Sequence, residues 1–186
     1  MANKPQVITP HGSREGYLNG ELANGFIPIP LVNWREVAAN DIQALAAVGG
    51  LLAKDSTPIL EMTNGDTDSA LRLRWAASDS NPIVAQVPVP PYLDTGNDVV
   101  LHVLAAMAGA TDSPAVASDA YFNVGDTKVE DSATISGTTV TEYTITIAAA
   151  DVPSGAQTLT VELTPAAHTT DALYVYATWI EHKPTN

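Results

Sequence analysis

The sequence predicts an all-β protein: an eight-stranded antiparallel sandwich preceded by an extended N-terminal arm. Several short segments alternate strictly between apolar and polar residues, most clearly 142–147 and 158–164, as strands with one buried and one exposed face do. Clusters of Gly, Pro, Asn and Asp separate these segments and mark turns. The chain lacks strand–helix alternation and a Gly-x-Gly-x-x-Gly fingerprint, which argues against a parallel α/β fold.

Composition limits the classes of partner. The 186 residues are 45% hydrophobic, enough for one domain with a sizeable core, and contain no Cys, which excludes disulfides and Cys-based metal sites. The net charge is −13, with 6 basic and 8 acidic residues in 1–75 but 2 basic and 13 acidic residues in 76–186. Such a surface does not attract phosphate backbones, so we expect no nucleic-acid partner. No apolar run reaches membrane-spanning length and no signal-like segment begins the chain, so we also expect no membrane partner.

Residues 1–57 are predicted to form the arm, and 58–186 the sandwich domain. Pro and Gly interrupt the arm repeatedly, yet it carries many large apolar side chains, which must pack along its own domain or a neighbouring subunit. The segment 26–32 could form an edge strand, because its prolines cannot donate ladder hydrogen bonds. One short helix is possible, capped by Asn40 and stopped by Gly49, although this stretch could equally be a loop.

Eight strands are predicted in the sandwich domain. They span residues 58–62, 71–75, 83–89, 98–108, 116–124, 142–147, 158–164 and 172–181. The polar segment 125–139 is predicted to be a loop. Eight strands favour a jelly roll over an immunoglobulin-like sandwich. A jelly roll would place 142–147 and 158–164 in opposite sheets, so the loop between them would cross from one sheet to the other.

The histidines offer little catalytic chemistry. His11, His102, His168 and His182 do not have the spacing of a metal site, and no Gly-x-Ser-x-Gly elbow is present. His102 lies within a predicted strand and is expected to be structural. The other candidates are His168 and His182, which flank the last strand and could approach each other.

Loop oxygens could bind Ca²⁺. The candidate ligands are Asn64, Asp66 and Asp68, together with Asp79 or Asp112. The alternative is that these side chains form turns by bonding their own backbone. The EF-hand pattern is incomplete, so we predict no metal, no cofactor and no catalytic residue.

The last strand is apolar on both faces. Alternation puts Leu173, Val175, Ala177 and Trp179 on one face and Tyr174, Tyr176, Thr178 and Ile180 on the other. A sandwich strand needs one apolar face, so we expect the second face to be covered by the arm or another subunit; the alternatives are that its aromatic rings stack on sugars or that it is ordinary surface. The predicted interface residues are Phe26, Ile27, Ile29, Leu31, Trp34, Tyr174, Tyr176 and Ile180.

Four segments, 71–83, 100–114, 142–153 and 163–181, resemble virion structural proteins of tailed bacteriophages, and most closely the small jelly-roll decoration (cement) proteins. The resemblance implies a nonenzymatic homo-oligomer, a trimer or dimer, that is made in the host cytoplasm. On the outer surface of the virion it would bind the major capsid protein shell and stabilise it. The alternative is a head-fibre, tail-fibre or carbohydrate-binding β-sandwich module that attaches to a host glycan through Tyr174, Tyr176 or Trp179.

Overall fold

The chain folds as two antiparallel β-sheets around one core. This computed structural model describes residues 24–38, 41–42, 52, 57–63 and 70–185. Its strands are β1 (Gly25–Pro28), β2 (Arg35–Ala38), β3 (Asp41–Ile42), β4 (Ile59–Met62), β5 (Leu71–Trp75), β6 (Ile83–Pro88), β7 (Val99–Met107), β8 (Ala115–Phe122), β9 (Val129–Thr134), β10 (Thr141–Ile147), β11 (Thr158–Pro165) and β12 (Leu173–His182). Two 3₁₀ turns, Leu31–Asn33 and Ala149–Asp151, are the helical elements of the described part.

Sheet 1 has the strand order β10-β7-β12-β5-β4, with β1 also paired to β12, and sheet 2 has the order β3-β2-β6-β11-β8-β9. Successive strands from β5 to β8, and again from β9 to β12, alternate between the two sheets, as jelly-roll strands do. The predicted antiparallel sandwich is therefore confirmed. The strands β10 and β11 lie in opposite sheets, as predicted, and the loop between them crosses over through the turn Ala149–Asp151.

The core is built from alternate residues of both sheets. In β7 the inward side chains are Val99, Leu101, Val103, Ala105 and Met107, and all are buried. They pack in one cluster with the inward residues of β6, β8 and β11 from sheet 2. Period-two burial of this kind follows directly from the pleat of a strand.

The prediction of a loop over 125–139 is wrong in its middle part, where β9 pairs with β8 at the edge of sheet 2. Val129 and Ala133 pack against the core, whereas Glu130 and Ser132 are exposed. Edge strands commonly carry charge on their exposed positions, because charge discourages pairing with other chains. Glu130 and Asp131, which lie within the segment predicted to be a loop, thus belong to an edge strand.

The described part of the arm packs along its own domain, one of the two predicted alternatives. β1 adds to β12 in sheet 1 and β2 adds to β6 in sheet 2, so residues 24–38 contribute one strand to each sheet. β1 carries Pro28 at its end and forms an edge strand over the first part of the predicted segment 26–32, whereas Leu31–Asn33 form a 3₁₀ turn. Residues 24–38 therefore share one core with the sandwich domain.

The possible helix near residue 40 is contradicted at its start. Asp41 and Ile42 form β3, which pairs with β2. This pairing explains the difference, because a two-residue strand can be fixed by its neighbour whatever its own helical preference. The proposed cap Asn40 and the proposed stop at Gly49 lie outside the described residues.

Candidate functional site

A β-bulge in β12 decides which side chains face outward. Val175 pairs with Ala105 and Ala177 pairs with Leu104, so Tyr176 is an extra residue on β12. Val175 is buried before the bulge, and Ile180 is buried after it. The inward face therefore changes from odd-numbered to even-numbered residues.

The predicted faces of β12 are consequently wrong beyond Val175. Thr178 and Ile180 point inward, and Trp179 lies on the outer face with Tyr174 and Tyr176. The alternation rule fails here because one inserted residue inverts every side chain that follows it.

Among the described residues, five rings lie on the outer face of sheet 1, and we call them the outer platform: Phe26, His102, Tyr174, Tyr176 and Trp179. Trp179 is directly opposite His102 on β7, and Glu181 is directly opposite Phe26 on β1. Directly paired residues share one face of a sheet. Phe26 is 61% exposed and extends the platform beyond β12.

His102 fixes the orientation of Trp179. The two rings are stacked, with centroids 4.9 Å apart and planes 8° apart. His102 Nδ1 lies 2.7 Å from Glu142 Oε1, and His102 Nε2 lies 3.2 Å from Glu181 Oε2, although the second contact lacks hydrogen-bond alignment. The imidazole is buried between these carboxylates, which supports its predicted structural role.

Arg72 joins the two tyrosines of the platform. Its guanidinium carbon lies 3.8 Å from the centroid of the Tyr174 ring, a cation–π contact. The rings of Tyr174 and Tyr176 meet edge to face at 6.5 Å. Burial disfavours the charged form of Arg72, but its bonds to Tyr176 and Glu61 outweigh this effect and raise the pKa of Arg72. The guanidinium therefore stays charged and holds both rings.

Glu61 on β4 binds both arginines of β5. Arg72 Nε lies 2.9 Å from Oε1 of Glu61, and Arg74 Nε lies 3.1 Å from its Oε2. Burial alone would raise the pKa of Glu61, but the hydrogen bonds from Arg72 and Arg74 outweigh it and lower that pKa below its ordinary value of 4.5. Both arginines are thus directed at one carboxylate at the margin of the platform.

This cluster predicts an acid-sensitive contribution to stability. Because the pKa of Glu61 is lower in the folded chain than in the unfolded chain, its contribution is complete above about pH 4.5 and is lost as the pH falls through the folded value. Urea unfolding should show that the free energy of unfolding falls less from pH 7 to pH 3 in Glu61→Gln than in wild type. Equal losses in the two proteins would contradict the assignment.

The predicted interface residues fall into three groups. The core holds Ile29, Leu31, Trp34 and Ile180, and their apolar surface is covered within the chain. Ile27 is partly buried against the core. The outer platform includes Phe26, Tyr174 and Tyr176.

Sequence reasoning named Trp179 as a possible glycan contact but placed it on the face opposite Tyr174 and Tyr176. A signal was available: strongly apolar residues change from an odd position, Val175, to an even one, Ile180, within one strand. It missed His102 as the ring that supports Trp179, because cross-strand register cannot be read from one strand.

His168 and His182 do not form a site together. His168 is buried, with Nδ1 3.0 Å from the Ala166 carbonyl oxygen, and precedes β12 in the chain. His182 ends β12 and packs against Tyr92, with ring centroids 5.9 Å apart. The prediction that His168 and His182 could meet is wrong, because the whole length of β12 lies between them.

The two described Ca²⁺ candidates bond backbone amides. Asp112 Oδ2 accepts bonds from the amides of Thr170 and Asp171, and Asp79 Oδ1 accepts one from the Asn81 amide. Asp79 follows the turn-forming alternative, whereas Asp112 bonds a segment 58 and 59 residues further along the chain. The other three candidates, Asn64, Asp66 and Asp68, lie outside the described residues. Across the described ranges, no group of three or more His, Asp or Glu side chains is placed to hold a metal ion.

Comparisons with known proteins show structural likenesses at low identity. No family model and no curated protein matches the sequence. The CBM22-1–GH10 modules of Clostridium thermocellum endo-1,4-β-D-xylanase 10B, complexed with xylohexaose, match at 14% identity and a TM-score of 0.48, over 89% of this chain and 29% of theirs. The xylan-binding module CBM15 matches at 14% identity and a TM-score of 0.49, over 88% of this chain and 100% of its own length.

A bacteriophage CBA120 tailspike protein 4 domain matches at 13% identity and a TM-score of 0.42, over 67% of this chain and 18% of its own. Likenesses this distant assign no function, so the function must be argued from the outer platform itself. In the described part of the chain, no helix is long and apolar enough to cross a membrane.

Proposed function

We propose that this chain is a carbohydrate-binding β-sandwich domain whose ligand lies across the outer platform. The observation that carries the proposal is the bulge in β12, which brings Trp179 to the same face as Tyr174 and Tyr176. A domain that needed these side chains only for its core would gain nothing from turning a Trp outward, since burying an aromatic ring stabilises the fold far more than exposing it.

The chemistry of the platform suits a sugar. A pyranose ring presents C–H groups on its faces and hydroxyls around its edge, so it can lie against an aromatic ring while its hydroxyls bond polar neighbours. The platform has such neighbours: Glu142 is 50% exposed beside His102, and Glu181 lies beside Phe26. Aromatic rings rimmed by a few oriented polar groups are typical of small-molecule and carbohydrate sites.

We infer that the domain acts by binding and not by catalysis. The carboxylates around the platform each hold another side chain: Glu61 bonds two arginines, and both Glu142 and Glu181 contact His102. These contacts support an arrangement that positions rings for a ligand.

A panel of soluble polysaccharides tests the proposal. Affinity electrophoresis or calorimetry should detect binding to at least one neutral glycan, with a Kd in the micromolar to millimolar range, about −4 to −8 kcal/mol. If no polysaccharide in a broad panel binds, the proposal fails.

Attachment to a capsid shell is the second candidate, supported by a different surface. β4 ends sheet 1, and at this edge Met62 and Leu71 form a cross-strand pair that is 63% and 49% exposed. Exposed apolar side chains on a strand edge suit contact with another protein.

If the second candidate holds, the protein should cosediment with assembled capsids, and Met62→Glu should release it while Trp179→Ala should not. The same purified protein should sediment as a dimer or trimer. If the protein is a monomer and does not cosediment with capsids, the capsid-attachment candidate is wrong. The glycan-binding proposal is not affected by that result.

A further inference from the structure

We infer that the outer platform takes an uncharged, hydroxyl-rich glycan and excludes acidic glycans. This inference rests on the proposed function. It follows from which hydrogen-bonding groups surround the rings, and from where the nearby positive charges are directed.

The side of the platform near Trp179 is lined by acceptors. Glu142 and Glu181 approach the two nitrogens of His102, the ring stacked on Trp179. A carboxylate accepts hydrogen bonds and donates none, so a sugar placed there must supply donors, as hydroxyl groups do. A uronic or sialic acid would bring a further carboxylate beside these two, and like charges placed close together repel each other.

Arg72 and Arg74, on the other side of the platform, do not offset this exclusion of acidic glycans. Besides the bonds from both Nε atoms, a terminal nitrogen of Arg72 lies 2.8 Å from Glu61 Oε1. The low pKa of Glu61 keeps this carboxylate charged at neutral pH, so the guanidinium groups already have an anionic partner. Glu61 neutralises one of the two guanidinium charges, so an acidic sugar meets one net positive charge at this margin and two carboxylates beside Trp179.

The net negative charge of the domain also disfavours the binding of acidic glycans. Residues 76–186, which include most of sheet 1 and β12, carry 13 acidic and 2 basic side chains. The field around such a surface slows the approach of polyanions, and salt screens it. Neutral glycans are not affected, so their binding should change little with ionic strength.

The test compares a neutral soluble β-glucan or xylan with polygalacturonate, at low and high salt. Wild type should bind a neutral glycan with a Kd that is nearly independent of salt, and should bind polygalacturonate at least 10-fold more weakly, about 1.4 kcal/mol. Wild type that binds polygalacturonate as tightly as any neutral glycan would overturn the inference but keep the proposed function. Failure to bind any glycan would overturn both.

Two variants test the cause. Glu61→Gln leaves Arg72 and Arg74 without their anion, so the affinity for polygalacturonate relative to that for the neutral glycan should rise several-fold. Glu142→Gln, at a half-exposed position, should also reduce the discrimination. Glu162→Gln on β11 is the matched control, because it removes the same charge from sheet 2. It should leave the Kd for both glycans unchanged. If neither Glu61→Gln nor Glu142→Gln alters the discrimination, the inference is wrong.

Discussion

Replacing Trp179 by alanine is expected to weaken glycan binding by about 10- to 100-fold, or about 1.4–2.8 kcal/mol, the range that loss of one stacking ring costs elsewhere. The indole is held in place by His102 at 4.9 Å and lies on the outer face, so its removal deletes contact area and leaves the core intact. Titration calorimetry with the best neutral glycan measures the change.

Tyr121→Ala is the matched control for Trp179→Ala. Tyr121 is a partly exposed aromatic residue on β8 of sheet 2, opposite Thr160, and is therefore remote from the platform. It should leave the Kd unchanged. Equal losses in the two variants would indicate a general effect on folding, and no loss in Trp179→Ala would remove the platform from the binding account.

Replacing Trp34 by alanine is expected to destabilise the whole domain by about 3–5 kcal/mol, because a buried aromatic side chain is lost and a cavity remains. Trp34 is fully buried, and its Nε1 donates to Thr178 Oγ1 at 3.1 Å. Thr178 in turn donates from Oγ1 to the Ile29 carbonyl at 2.8 Å, which ties residues 29–34 to β12. Thermal unfolding should show Tm lowered by roughly 6–20 °C.

Phe26→Ala is the control for Trp34→Ala, since it removes an aromatic ring from the same N-terminal segment at an exposed position. Its effect on stability should stay within about 0.5 kcal/mol. A stability loss in Trp34→Ala no greater than that in Phe26→Ala would show that the N-terminal segment packs less closely against the core than the structure indicates.

The architecture of this domain follows from local patterns to a large extent. All eight predicted strands form, because runs of alternating or continuous apolar residues bounded by turn residues mark strands. The pattern fails where tertiary contacts outweigh local preference. β9 is a charged edge strand that β8 holds in place, and β3 is a two-residue strand paired to β2.

The site was harder to predict than the fold, for one physical reason. A strand pattern assumes a continuous pleat, and the extra residue Tyr176 breaks it between Val175 and Ala177. Every assignment beyond that point is inverted, which moves Ile180 into the core and Trp179 out of it. The prediction that the second face of β12 is covered stays a prediction, and the side chains on that face differ from those predicted.

The large apolar side chains of the N-terminal segment lie on both faces of sheet 1. Ile29, Leu31 and Trp34 complete the core, whereas Phe26, only three residues before Ile29, joins the outer platform. Hydrophobicity alone does not separate these roles, because all four are large and apolar. The pairing register of β1 with β12 separates them, and that register depends on contacts far apart in the sequence.

The most direct test of the central claim uses the three tryptophans of the chain as built-in reporters. Trp34 and Trp75 are fully buried, and their Nε1 atoms donate to Thr178 Oγ1 and the Asn81 carbonyl, whereas Trp179 lies on the outer platform. A neutral glycan titrated into ¹⁵N-labelled protein should shift the indole N–H resonance of Trp179 and leave the other two in place. Saturating binding that leaves the Trp179 resonance unmoved would contradict the account.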